Sequence, residues 1–332
     1  MKTFKSKVIA LVMGLSTVSA LAADYPTKNL QGIIQWGAGG ATDNVSRVIT
    51  PLAESHLGKK IVLTNRPGGA GAIATAFVNS RPADGYTLMY GAETVQLHRV
   101  LGLGNVDYAD FYPVSILLQG TSVIVTNNRT SWDNVDEMLT DIKANPGKFK
   151  AGTTGTGGLP FMVNAMLQDT VGIEVISIPF DGDGPGMTAL QGGHVDLMVL
   201  GLAAAIEHIR AGRLKALAVV AEEPLPNLPG VPAITDSIPE LGKYLPWGPF
   251  YGVFVKKDTP DEIKAKLTEA FRLAAEDELF GQFAERFQSV RLNLSGDEAE
   301  AYLAHWQSVS SWLLQEIGEA KVSPETLGIP KP

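Results

Sequence analysis

A short apolar run that breaks into glycines and then into helix-capping residues leaves a chain few ways to fold. Gln31-Gly-Ile-Ile-Gln-Trp-Gly-Ala-Gly-Gly-Ala-Thr-Asp-Asn44 is such a stretch. Ile33 and Ile34 close a buried strand, and Gly37, Gly39 and Gly40 let the backbone turn through conformations closed to other residues. Thr42, Asp43 and Asn44 are capping residue types, with Asp43 the expected N-cap, and Val45, Val48, Ile49 and Leu52 follow at helical spacing. Strand, turn and helix start together present bare N–H groups at the positive end of a helix dipole. That arrangement suits a carboxylate or a phosphate.

The same unit recurs. Ile61–Thr64 reads as a strand before a second glycine turn, Asn65–Gly71; Ala72–Ser80 as a short helix; Tyr86–Tyr90 as a third strand. From Ser122 a second alternating series begins, with strands at 123–125, 149–152, 174–178, 195–200 and 214–220. Its turn Thr153-Thr-Gly-Thr-Gly-Gly158 leads into a helix from about Leu159. Alternation of strand and helix predicts mostly parallel sheets flanked by helices. Seven prolines between Pro224 and Pro249 forbid a continuous helix or central strand and mark a return connection. Tyr251–Val255 then re-enters the first half. The expected organisation is a first lobe of 24–122 plus 250–332 and a second lobe of 123–249, with a cleft between them. Pro51 should bend or end the first helix, and Thr259-Pro-Asp-Glu262 and Ser295-Gly-Asp-Glu298 read as capping boxes opening the last two helices.

Composition narrows the function. Lys2, Lys5 and Lys7 precede the apolar run Val8–Leu15 and the small-residue segment Ser19–Ala23, the pattern of a secretory signal over residues 1–23. Its apolar core is too short for a stable membrane anchor, so an exported protein is expected. Cleavage would remove three positive charges from a chain whose net charge is already −8, which argues against nucleic acid and anionic membranes. With no cysteine, thiol chemistry and disulfides are excluded.

Of the turns that open the two halves, Gly37–Gly40 and Gly152–Gly158, neither carries Lys or Arg, so an anion would be held by amides and by the hydroxyls of Thr42, Thr153, Thr154 and Thr156. Neither turn has the dinucleotide fingerprint or the Gly-Lys-Ser/Thr of a P-loop. No nucleophile elbow occurs, and no two histidines show metal-ligand spacing. Asp181 and Asp183, each beside a glycine, read as turn formers. Glu93 follows a strand whose carboxyl end should point into the cleft.

Tyr25-Pro-Thr-Lys28, Gly39-Gly-Ala-Thr-Asp43, Asn65-Arg-Pro-Gly-Gly-Ala-Gly71, Asp84-Gly-Tyr-Thr87, Gly152-Thr-Thr-Gly-Thr-Gly157, Pro179-Phe-Asp-Gly182, Gly192-Gly-His-Val-Asp196 and Ala211–Ala218 form an ordered series. In it the chain resembles the periplasmic receptors of tripartite tricarboxylate transporters, the Bug family. The resemblance implies an α/β, two-lobed periplasmic binding protein that closes on a small carboxylate and delivers it to membrane transporter subunits. It places the ligand on the loops Trp36–Asp43 and Gly152–Leu159, completed by Gly91–Glu93 and Phe180–Gly182. The candidate ligand-binding set is Trp36, Gly37, Ala38, Gly39, Gly40, Thr42, Asp43, Glu93, Thr153, Thr154, Gly155, Thr156, Gly157, Gly158, Phe180 and Asp181. No catalytic residue, metal or cofactor is expected, and a monomer is. Relatives carry Asp-Asn where Leu200-Gly201 stands, so one partner for a ligand ammonium is missing and an amino-acid substrate is disfavoured, although Glu93 or Asp181 could substitute. Phe161, in place of a polar residue, together with Trp36 and Phe180 would favour an aromatic or apolar acid. A periplasmic sensing partner of a membrane kinase and a secreted α/β enzyme are the alternative readings.

Overall fold

The computed structural model describes residues 25–332; the expected signal segment lies outside them. In chain order the first half runs β1 (Leu30–Ile34), α1 (Ala41–Leu57), β2 (Ile61–Asn65), α2 (Ala72–Asn79), β3 (Thr87–Ala92) and β4 (Phe111–Gln119). The second half follows with β5 (Ser122–Thr126), α3 (Val135–Ala144), β6 (Lys150–Thr153), α4 (Leu159–Val171), β7 (Ile176–Pro179), α5 (Asp183–Gly192), β8 (Leu197–Gly201), α6 (Leu202–Arg210) and β9 (Lys215–Val220). The chain then returns through β10 (Phe250–Lys256), α7 (Asp261–Glu276), α8 (Glu278–Arg286), β11 (Val290–Leu294) and α9 (Gly296–Glu316).

Two sheets result, in the orders β11-β4-β10-β3-β1-β2 and β7-β6-β8-β5-β9. β1 pairs parallel to β2 and β3, as alternation requires, but β10 runs antiparallel to both β3 and β4. In the second sheet β5 lies antiparallel between β8 and β9. Both sheets are therefore mixed: the strands that enter and leave each domain arrive against the parallel core. β4 and β11 are additions to the sequence reading. β4 is a mostly apolar run that contains Pro113, and β11 is a partly exposed edge strand that pairs with β4 alone.

Helices cover both faces of each sheet. One apolar cluster packs α7 and α8 with α1 against β1, β3 and β10, through Val45, Ile49, Phe271 and Phe280. A second runs from domain 1 along α9 into domain 2, where Met162 and Met166 of α4 and the wholly buried Trp132 lie. Trp306 and Leu313 of α9 belong to it; Trp306 donates to the Gly248 carbonyl at 3.1 Å, and Trp247 donates to Ser310 Oγ at 3.0 Å. The two interdomain connections run side by side, Gly120 N–H donating to Pro249 O at 2.7 Å.

Three local expectations are corrected. The N-cap of α1 is Gly40 rather than Asp43, because the carboxylate of Asp43, inside the first turn, reaches back past the cap to the Gly39 N–H at 3.0 Å. Helix α1 continues through Pro51, whose missing hydrogen bond falls on an exposed face. Neither capping box forms: α7 starts from Pro260 with the Thr259 hydroxyl buried and unpartnered, and the Ser295 side chain caps nothing.

Candidate functional site

The two glycine turns open the two helices that face each other across the cleft. α1 starts from Gly40 and α4 from Gly158, both extended in backbone, and neither helix start is capped by its own side chain. Gly39, at φ 79°, and Gly155 and Gly157, at φ 89° and 81°, hold the left-handed conformations that sharpen the turns. The first turn is braced from behind. Asp43 accepts from Gly39 N–H, from Asn65 Nδ2 at 2.8 Å and from Arg47 Nε at 2.9 Å. Burial raises the pKa of its carboxyl, but these donors outweigh burial and hold it below the ordinary value. Asp43 is thus fully engaged in shaping the loop.

Across the cleft the domains touch backbone to backbone. Gly37 N–H donates to the Asp181 carbonyl at 2.7 Å. A Cβ on Gly184 would meet the Ala38 carbonyl, and one on Gly155 would stand 3.3 Å from Ala70 Cβ. The close approach is the physical reason for glycine at 184, whose φ is unexceptional. Behind these contacts lies a cavity of about 20 Å³, room for a water or two. Trp36, Gly40, Ala41 and Thr42 of the first turn line it, with Glu93, Thr154, Leu159 and Asp183. Pro249 and Tyr251 form its floor beside the interdomain connection. An outer groove of about 570 Å³ is lined by Thr154, Gly155, Thr156, Phe180 and Asp181. Thr154 borders both spaces.

Of the residues singled out from sequence, Trp36, Gly40, Thr42, Glu93 and Thr154 therefore meet at one cavity. Gly155, Thr156, Phe180 and Asp181 sit at the groove, and Gly37, Ala38 and Gly39 form the cross-cleft contact. Thr153, Gly157 and Gly158 support the second turn from behind, Gly157 packing towards Leu101 and Thr94. Phe161 packs against the core and Leu200 is wholly buried in it; neither lines the cavity. The candidate set left out Asp183, read as a turn former, Ala41 and Leu159, which lie within the two ligand loops, and Tyr251, all of which line the cavity. Ala41 and Leu159 carried a usable signal, since each is the first helical residue after a glycine N-cap. Asp183 carried none that separates it from Asp181.

The acids are the electrostatic centre of the cavity. Glu93 opens the short helical turn after β3 and is 3% exposed. Burial and then the charge of Asp183 push its carboxyl up to about 8, while amide donors at Glu93 itself and Leu159 pull the other way. Asp183 starts α5; burial pushes it up to about 6 against the pull of the Gly201 and Ala41 amides. Gly201 N–H donates to Asp183 Oδ2 at 3.3 Å. The Tyr251 hydroxyl is held neutral by burial and by these two neighbours. Neither carboxyl has a lysine, arginine or histidine beside it on the cavity wall.

A protein-family model described as the tripartite tricarboxylate transporter family receptor, TctC, matches residues 45–318. The chain belongs to this family. It is a solute-binding receptor, and the TctC family is one of binding proteins, not of enzymes. Protein BugT of Bordetella pertussis is 30% identical over 263 residues, covering 77% of this chain and 79% of BugT. Among solved structures, R. palustris Rpa4515 with adipate superposes at TM-score 0.82 with 23% identity, over 90% of this chain and 99% of that one. MatC of Rhodopseudomonas palustris with bound malate gives TM-score 0.77 at 24% identity, over 86% and 100%. These likenesses establish the two-domain fold. Among the described residues no helix is long and apolar enough to cross a membrane.

Proposed function

We propose that this TctC receptor works in the periplasm, capturing a small organic carboxylate between its two glycine-rich turns and presenting it to the membrane subunits of a tripartite transporter. The observation that carries this reading is the meeting of two uncapped helix starts, at Ala41 and Leu159, on one buried cavity whose lining holds no lysine or arginine. Asp183 and Glu93 already engage the Ala41 and Leu159 amides, so the remaining first-turn amides at the positive ends of the two helices supply what an organic anion needs where side-chain cations are missing. The adipate and malate bound by the two solved relatives are carboxylates of this size class, which supports the same reading. The space of about 20 Å³ requires the domains to part before a ligand enters and to close over it afterwards, a hinge motion about the paired connections at Gly120 and Pro249.

Thermal-shift and calorimetric titration of the purified protein with mono-, di- and tricarboxylates and amino acids tests the proposal. At least one carboxylate should bind in a strict one-to-one ratio. A sugar or nucleotide as the only ligand would refute it.

A further inference from the structure

The chemistry of the remainder of the ligand can be read from the same cavity, on the footing that the cleft holds a carboxylate. Its lining carries two acids and no lysine, arginine or histidine. Glu93 reaches it from domain 1 and Asp183 from domain 2. Glu93 Oε2 is buried and has no hydrogen-bond partner, although the amides of Glu93 and Leu159 act on the same carboxyl group. The Asp183 carboxyl has a long 3.3 Å bond from Gly201 N–H to Oδ2 and the Ala41 amide beside it, and its Cβ lies 3.6 Å from where a Cβ on Gly40 would stand. The second acid thus sits beside the N-cap of α1, next to the amides available to an anion.

A ligand with a carboxylate at each end would set its second charge beside the ionised Asp183 and oppose ionisation of Glu93, in a site of low dielectric with no base to offset it. A ligand bearing an amine meets the opposite situation. Its N–H groups find the unpartnered Oε2 and the weakly held Oδ2, and its positive charge offsets the acids. We propose that the cleft selects an amino-substituted carboxylate, its acid group on the amides at the starts of α1 and α4 and its ammonium on Glu93 and Asp183. Of the two neighbouring acids it is Asp183 that faces the cavity, since the Asp181 side chain is exposed at the outer groove. An arriving ammonium also draws Glu93 down from its raised value, so the carboxyl ionises as the cation docks. The other titratable neighbours that feel the Glu93 charge, Tyr108, Tyr251 and Tyr302, are all held neutral.

Matched ligand pairs give the test, by calorimetry at pH 7: β-alanine against succinate and propionate, 4-aminobutyrate against glutarate, L-alanine against L-lactate, and L-phenylalanine against 3-phenylpropionate. In at least one set the amino member should bind about tenfold or more tighter. Glu93→Gln and Asp183→Asn should each shrink that ratio towards one, with melting temperatures no lower than that of the unaltered protein. A plain acid or diacid winning in every set, or a ratio unchanged in both variants, overturns the inference and leaves the carboxylate reading standing. Failure of every acid, amino or plain, to bind overturns both.

Discussion

Glu93 and Asp183 are ordinary acids placed where ionising them is costly, and the consequence is measurable without any ligand. Each has a folded-state pKa above its unfolded value, Glu93 moving from 4.5 to about 8 and Asp183 from 3.8 to about 6. The folded protein then binds these protons more tightly than the unfolded chain does, so their contribution is complete below about pH 4 and is lost as pH rises to 8. The ligand-free melting temperature should accordingly decline between pH 5 and 8 by about 5 °C or more, and Glu93→Gln should flatten that decline and melt higher than the unaltered protein at pH 8. A steeper decline in the variant would show that the carboxyl is ionised and stabilised in the folded state.

Asp43 shows the opposite case, an acid whose partners outweigh its burial. Asp43→Ala removes acceptors from Gly39 N–H, Arg47 and Asn65 at once. The expected cost is about 2 kcal/mol in urea unfolding, since hydrogen bonds to a charged group are worth more than neutral ones. Because its pKa lies below the unfolded value, this contribution persists above about pH 4 and fades only in stronger acid.

At the level of elements, the strand–turn–helix units were legible because each combines a short apolar run, positive-φ glycines and a 3.6-residue repeat within a few residues of one another. β1 with α1 and β6 with α4 are such units. β4 was hidden by Pro113, which argues against a central strand. Here the proline sits at a register shift against β10, between Val253 and Phe254, where the ladder is already irregular. β11, Val-Arg-Leu-Asn-Leu, is half-exposed along its length and exists as a strand because β4 offers it an edge. The N-cap expected at Asp43 failed because its carboxylate is drawn to Asn65, to Arg47 one turn on and to the Gly39 amide, whereas the Thr259 hydroxyl ahead of α7 is buried with no partner at all. Gly184, at the second position of α5, tests how far the elements must approach. Gly184→Val leaves φ unstrained but drives a Cβ into the Ala38 carbonyl of the other domain. Circular dichroism should find it folded, small-angle scattering should find it more extended, and ligand affinity should fall by about tenfold or more.

For the whole molecule, sequence alone determined that two α/β halves would each offer a glycine turn opening onto a helix, and that neither turn would contain a cation. Those are local properties: backbone freedom at glycine, apolar periodicity and residue identity act over a few positions. The tertiary structure decided which amides remain available and which acids matter. Gly37 N–H, a natural anion donor on paper, is taken by the Asp181 carbonyl, whereas the helix starts at Ala41 and Leu159 face the cavity beside Asp183 and Glu93, which draw on their first amides. Asp181 and Asp183 are two residues apart and indistinguishable by composition, yet one stands in solvent and the other is buried against Gly201 and Gly40. Desolvation and contact across a cleft depend on segments more than a hundred residues apart, and no local pattern encodes them.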